Sequence, residues 1–381
     1  MLSNSDLVEL TAFRRALHRK PEVSGDEKET ARAIRDFILP TGPDLLLTDL
    51  GGHGLAAVFQ GAETGPTVMI RSELDALPII EQPRHDHGSS FPGKGHLCGH
   101  DGHSTILAAV ARCLGRRRPR AGRVVLLFQP AEENGAGAAA VLADPAFGAV
   151  RPDWAFSLHN MPGLPLGHVA LQSGPANCAS RGMKVALTGK EAHASMPETG
   201  LSPALAISGL IPALMALGPG GSLDADFRLV TITHVTLGEA AFGIAPGRAE
   251  VWATLRTLSD GPMTEMVAAA ETVARQTAVQ HHLDLTISYH DGFAACANHP
   301  LATGHLEAAI AAEGIARSPF PLPMRASEDF GLFGSVAPSA MFLLGAGVDA
   351  PALHNPDYDF PDDLIAVGTR VFLRVVRDLL G

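Results

Sequence analysis

The sequence predicts an α/β fold: a mostly parallel sheet covered by helices, interrupted by an inserted ferredoxin-like α+β domain. Three observations lead there. Short apolar runs alternate with helical patterns through the first half of the chain and again at its end, as strands buried on both faces require. Near Pro175 the texture changes to the order strand-helix-strand-strand-helix-strand, a split βαβ unit. Finally, four distant segments rich in metal-ligating side chains mostly sit where an apolar run ends, the usual site position in open α/β sheets. The division expected is residues 1–177 and 292–381 for a metal-binding domain, with 178–291 inserted.

Taken in order, Leu7 to Leu17 has the spacing of an amphipathic helix, and Pro21-Glu22-Val23-Ser24-Gly25 reads as a loop. A second helix runs from Glu27 to Leu39 and is closed by Pro40. Leu55 to Phe59 and Thr67 to Ile70 read as strands around a Gly-rich turn. Ser104 to Leu114 is a helix, and Val124 to Phe128 and Trp154 to Leu158 are buried strands. In the insert, strands are expected at Met183 to Leu187, Leu229 to Val235, Glu250 to Leu255 and Leu285 to Tyr289. Its helices are expected at Pro203 to Leu217 and Met263 to Gln280. Helices Leu301 to Glu313 and Asp362 to Leu380 complete the first domain.

Composition narrows the function classes. With 381 residues, 46% hydrophobic and 18% charged, the chain can bury a large ordered core. A formal charge of -11 argues against nucleic-acid binding, because phosphate contacts need clustered cations. The one basic run, Arg116-Arg117-Arg118-Pro119-Arg120, reads as a solvated helix end. No apolar run is long enough to span a bilayer, and the start lacks the pattern of an export signal. The four cysteines are too scattered for a disulfide framework, so a reducing cytoplasm is expected.

The ligand-rich segments are Cys98-Gly99-His100-Asp101-Gly102-His103, Pro130-Ala131-Glu132-Glu133, Ser157-Leu158-His159-Asn160 and Leu353-His354-Asn355-Pro356. Cys98 and His100, two apart, reach one centre from an extended or turn backbone. Thiolate with imidazole suits Zn²⁺, Co²⁺, Ni²⁺ or Mn²⁺ rather than Ca²⁺. Glu132 and Glu133 follow a buried strand through Pro130. Adjacent acids at a strand end point different ways, so one can bind metal while the other moves protons. A single histidine in a chain with 17 of them is usually structural, but His100, His159 and His354 together with the paired acids read as ligands. Asp75, in Arg71-Ser72-Glu73-Leu74-Asp75-Ala76-Leu77-Pro78, is placed to hold a ligand histidine in one tautomer.

Together with Ser327-Glu328-Asp329-Phe330, these segments resemble, in order and over essentially the whole chain, the M20 family of metallopeptidases. The closest likeness is to its amidohydrolase branch of hippurate hydrolases, N-acyl-amino-acid deacylases and auxin-conjugate hydrolases. The resemblance implies a zinc-peptidase-like catalytic domain and hydrolysis of the amide of an N-acyl amino acid. It implies that Cys98, His100, Glu133, His159 and His354 bind one or two divalent ions, Mn²⁺ or Zn²⁺ first and Co²⁺ or Ni²⁺ next, with Cys98 bridging. Glu132 matches the general base. His193 matches a histidine that the inserted domain supplies to the partner's active site, in a homodimer or dimer-based tetramer. Asp101, His103, Asn160, Ser327 and Glu328 are expected to touch substrate or support ligands.

Three positions depart from the family pattern. Glu73 replaces an aspartate, Glu191-Ala192 replaces a Gly-Gly before His193, and Gly243 stands where relatives commonly have Asn. Rival readings are a dipeptidase or aminoacylase with another substrate, a metal-stabilised homodimer that only binds acylated ligands, and a Cys98 thiol nucleophile.

Overall fold

The computed structural model describes residues 2–381, in two compact units. The first comprises the residues up to Ala176 with Ala297–Leu322 and Asp329–Gly381; the second comprises Asn177–Cys296 with Pro323–Glu328.

The first unit is built on a seven-stranded sheet in the order Leu45–Leu50, Gly54–Gln60, Ala121–Gln129, Glu63–Glu73, Trp154–Pro162, Ser339–Gly347 and Val169–Ala170. The four strands from Ala121–Gln129 to Ser339–Gly347 are mutually parallel, and the flanking strands pair antiparallel. Val124 to Phe128 are all fully buried, which is why that run shows no polar alternation. Three strands of this sheet have no counterpart in the sequence reading. Leu45–Leu50 is an edge strand interrupted by Thr48 and Asp49, and Val169–Ala170 is only two residues long. Ser339–Gly347 carries Ser, Ala, Met, Phe, Leu and Gly, with no β-branched residue to mark it.

Parallel pairing places the ends of these four strands, Gln129, Glu73, Pro162 and Gly347, on one edge of the sheet. Ligands bind at that edge in open α/β sheets. Helix His100–Arg116 begins there, and 14 of its 17 residues are buried, with a polar first turn, His100 to Thr105, leading into an apolar stretch from Ile106 to Ala111. It packs against helices Asn4–His18 and Leu364–Leu380. The first of these opens with a capping box: Ser3 Oγ accepts from the Asp6 amide, and the Asp6 carboxylate accepts from the Ser3 amide. Asp6 then pairs with Arg112 and Arg116 of the central helix. Close approach depends on small residues: a Cβ at Gly102 would lie 2.3 Å from the Phe360 ring, and one at Gly368 would lie 2.7 Å from Ile106.

The second unit is an antiparallel sheet in the order Arg228–Leu237, Arg248–Thr257, Ala179–Thr188, Asp284–Phe293. This is the order a split βαβ unit makes. Helices Ala204–Ala216 and Asp260–Gln280 pack on it, burying Met183, Val185, Leu187, Val251, Ala253 and Leu255. Among the described residues no helix is long and apolar enough to cross a membrane.

Two glycine substitutions test the packing. Gly102→Ala should destabilise the protein by about 1–3 kcal/mol, the usual cost of overpacking. Gly148→Ala, whose Cβ would meet nothing within 4 Å, should change stability by less than about 0.5 kcal/mol. Urea denaturation of both variants checks the contrast.

Candidate metal centre

Two loops at the sheet edge are built to aim acids. After strand Ala121–Gln129, Pro130 stops the ladder and Ala131 turns at φ +51°, a conformation that costs a non-glycine residue energy. Glu27, wholly buried, holds that turn by accepting the Ala131 amide at 2.8 Å. The chain then folds back so tightly that a Cβ at Gly137 would lie 1.7 Å from the Pro130 carbonyl. Glu132 and Glu133 emerge from this turn. The Glu133 amide donates to Asp75 Oδ2 at 2.9 Å, and the Ser24 hydroxyl donates to the same oxygen at 2.7 Å.

The helix that was expected to start at Ser104 starts at His100. The Cys-Gly-His cluster is therefore neither extended nor an independent turn. Gly99, at φ +92°, is the cap, and its carbonyl accepts the amides of Gly102 and His103. A side chain at position 99 would also place its Cβ 1.8 Å from Asn160 Oδ1. Only glycine meets both demands.

Five side chains from these segments converge. Cys98 Sγ lies 3.4 Å from His159 Nε2. His100 Nε2 lies 3.8 Å from Glu133 Oε1 and 4.0 Å from Glu132 Oε2. His354 Nε2 lies 3.6 Å from Glu133 Oε2. The donor atoms of Cys98, His100 and His159 are all within 4.8 Å of one another, and so are those of Cys98, Glu133 and His354. Cys98 is common to both sets. His354 sits at φ +66° with its amide donating to Leu97 at 2.8 Å, a strained backbone that presents the ring. Its side chain is 49% exposed, whereas Cys98 and His100 are buried.

The donor set fits a divalent transition ion. His100 Nδ1 lies 2.9 Å from the Asp75 carbonyl oxygen and 3.3 Å from its Oδ1, which makes Nδ1 the protonated nitrogen and turns Nε2 inward. The carbonyl, more than the carboxylate anticipated for Asp75, takes this bond. His100 Nε2 is buried without a hydrogen-bond partner. The nitrogen–oxygen spacings exceed hydrogen-bond length, the Cys98–His159 contact is within reach of a sulfur hydrogen bond, and donors sharing a tetrahedral ion at 2.0–2.3 Å stand roughly 3.3–3.7 Å apart. Electrostatics agree. Burial lowers His100, but Asp75, Glu73 and Glu133 outweigh it and raise its pKa to about 10. Burial, then the Glu133 and Glu132 carboxylates, push the Cys98 thiol well up. Burial and the neighbouring His103 and His100 bring His159 down to about 3, so its lone pair is available. A cation relieves the clustered acids and takes the place of the protons on Cys98 and His100.

Of the remaining candidates, His103 and Asn160 border the donor set, and Asp101, Ser327 and His193 make contacts outside it. His103 is fully engaged: Nδ1 meets Glu73 Oε2 at 2.6 Å and Nε2 accepts the Asn160 amide at 3.1 Å. Asn160 Nδ2 donates to the Cys98 carbonyl at 3.0 Å, so this residue supports a ligand. Asp101 turns to His18 at 2.8 Å and Arg14 at 3.2 Å rather than to the ligand set. Ser327 and Glu328 belong to the second unit, where Ser327 Oγ accepts from Arg256 at 2.9 Å. His193 is exposed in that unit, with Nδ1 accepting the Ser195 amide at 3.1 Å.

Sequence reasoning missed Glu27, Ser24 and Asp329. Asp329 accepts from Arg71, Gln129 and the Ala138 amide, tying the acid-bearing loop to the neighbouring strand. Its place beside Ser327-Glu328 was a usable signal. Glu27 and Ser24 had none, since their roles arise from folding alone.

Comparison with known proteins places this geometry. The chain is 30% identical over 98% of its length to N-acetyl-L-cysteine deacetylase of Bacillus subtilis, covering 88% of that protein. It is 29% identical to N-acetyldiaminopimelate deacetylase of Streptococcus pneumoniae, covering 95% of this chain and 96% of that one. Among solved structures it superposes with a TM-score of 0.82 on the Bacillus subtilis YXEP protein, described as a dinuclear metal binding peptidase from the M20 family. That match is 26% identical and covers 99% of each chain. The model of peptidase family M20/M25/M40 matches residues 69–378, and the chain belongs to that family.

Proposed function

We propose that the protein is a metal-dependent amidohydrolase that cleaves an N-acyl amino acid into a carboxylic acid and an amino acid. The observation that carries the reading is the convergence of Cys98, His100, Glu133, His159 and His354, with a further carboxylate, Glu132, 4.0 Å from His100 Nε2. The relatives named above act, by their names, on N-acetylated amino acids, which supports an amide substrate of that kind.

One or two ions, Mn²⁺ or Zn²⁺ by preference, held by the five donors would supply Lewis acidity at the scissile carbonyl and acidify a water molecule. Glu132 takes up the proton of the attacking water as the C–O bond forms. It then delivers that proton to the amine nitrogen as the C–N bond breaks. Asp75 keeps His100 in one tautomer and fixes the Glu133 amide. His193 acts in the active site of a partner subunit, stabilising the oxyanion there. The reaction belongs in the cytoplasm, where the four free cysteines stay reduced.

Glu132→Gln should leave metal content and melting temperature unchanged while lowering kcat on the order of a hundred- to ten-thousand-fold, the usual worth of a positioned base. Activity near wild type towards acetyl, benzoyl, succinyl and indole-acetyl amino acids would refute the assignment. Asp75→Asn should weaken metal binding by roughly ten- to a hundred-fold, as for other residues that orient ligands. Competition with a chromophoric chelator measures it. Chelation should abolish turnover and added Mn²⁺ or Zn²⁺ should restore it, whereas a Cys98 nucleophile would be insensitive to chelator.

A further inference from the structure

A second group of titratable side chains lies in the first unit and shares no donor with the Cys98 centre. Its core is the loop from Glu81 to His87, with Asp359 from the segment that follows His354. His85 and His87 stack face to face, ring centroids 3.7 Å apart and 13° from parallel. Their Nε2 atoms both face Asp359 Oδ2, at 3.7 Å and 2.9 Å respectively. His85 Nε2 is also 3.6 Å from Glu81 Oε1.

The His85 spacings are too long for hydrogen bonds, and neither nitrogen of this ring has a hydrogen-bond partner although both are buried. Donors around a tetrahedral ion with 2.0–2.1 Å bonds stand about 3.3 Å apart, so the 3.6 and 3.7 Å spacings would close and the 2.9 Å one would open by a few tenths of an ångström. The surroundings prepare the oxygens for that role. The Ser89 amide holds Glu81 Oε2 at 2.5 Å, and Oε1, which meets His18 Nε2 at 3.0 Å, has its remaining side towards His85. Arg14 holds Asp359 Oδ1 at 2.5 Å and leaves Oδ2 facing the histidines. His18 is not a donor, because its two nitrogens meet Asp101 at 2.8 Å and Glu81 at 3.0 Å.

We propose that Glu81, His85, His87 and Asp359 form a further transition-metal site. His87 is its exchangeable member. Its Nε2 lies 2.9 Å from both an Arg14 donor and the Asp359 acceptor, and one ring nitrogen satisfies only one of them. Burial depresses both histidines, so at neutral pH both offer lone pairs. Two imidazoles with two carboxylates select Zn²⁺, Ni²⁺, Co²⁺ or Cu²⁺ over Ca²⁺ or Mg²⁺. The ion would tie the Glu81–His87 loop to the segment after His354. Through Arg14 and His18 it would also hold the first helix, so its role is structural.

The test is metal counting after loading with Zn²⁺ and removing the excess by gel filtration. Cys98→Ala/His159→Ala, which disables the centre described above, should retain one Zn²⁺ per chain. Its Co²⁺ form should lack a thiolate charge-transfer band, and adding His85→Gln/His87→Gln should remove the ion. His85→Gln alone breaks no hydrogen bond of the metal-free protein, so its melting temperature without metal should equal that of wild type. Its affinity for Zn²⁺ at this site should fall at least tenfold. A folded Cys98→Ala/His159→Ala protein that binds no Zn²⁺ would overturn the proposal. So would equal Zn²⁺ counts and affinities in wild type and His85→Gln.

Discussion

Arg71 is a full positive charge with no exposed surface, set in the middle of a hydrophobic sheet. A buried guanidinium is tolerable only when every direction it faces is answered, and removing one partner of such a pair costs about 3–5 kcal/mol. Here Nε donates to Gln129 at 2.9 Å, Nη2 meets Asp329 at 2.5 Å, and Nη1 pairs with Glu73. Burial opposes the Glu73 charge, but Arg71 and His103 prevail and hold its carboxyl well below the ordinary range. Glu73 then fixes His103, His103 accepts the Asn160 amide, and Asn160 carries the Cys98 carbonyl. One polar chain thus indexes three strands and the start of the central helix against each other. The ligands inherit their positions from it. Glu73 thus orients His103.

The same economy governs the acid loop. Ala131 and His354 both hold positive φ without being glycine, and each is secured by a named bond, from Ala131 to Glu27 and from His354 to Leu97. Such strain persists only where the surroundings over-determine it, and both cases border the ligand set. The exposed His354 contrasts with its buried fellows. His159 stands on a strand and His100 on a helix terminus, whereas Cys98, Glu133 and His354 arrive on the turns and loops between them.

Much of this was legible in the sequence, for physical reasons that can be named. Val124 to Phe128 and Trp154 to Leu158 announce themselves because strands covered on both faces are almost wholly apolar, Ser157 being the one polar residue in the two runs. The insert shows because half-buried strands alternate and its helices do not. The candidate donors stand out because Cys98, His100, Glu133, His159 and His354 are unusual residues near the ends of such runs. What stayed hidden was context. Ser339–Gly347 lacks β-branched residues, so its small and flexible side chains carry no strand signal, yet it lies beside Trp154–Pro162 in the sheet. The helix start at His100 was masked because Gly99 in a left-handed cap looks like any loop glycine. Glu27 and Asp101 have roles set by partners far away in the chain, and no local spacing encodes that.

The pairing of Ser339 with Ala155 has a consequence for how the molecule is made. The central sheet cannot be completed until nearly the whole polypeptide has left the ribosome, because its penultimate strand is encoded so late. The second unit, almost all of it contiguous in sequence, emerges earlier; its pairing of Arg228–Leu237 with Arg248–Thr257 is local, and both pairings of Ala179–Thr188 are long-range. Until then the Trp154–Pro162 edge that Ser339–Gly347 covers waits unpaired. Synthesis therefore delivers the appended body before the framework it interrupts.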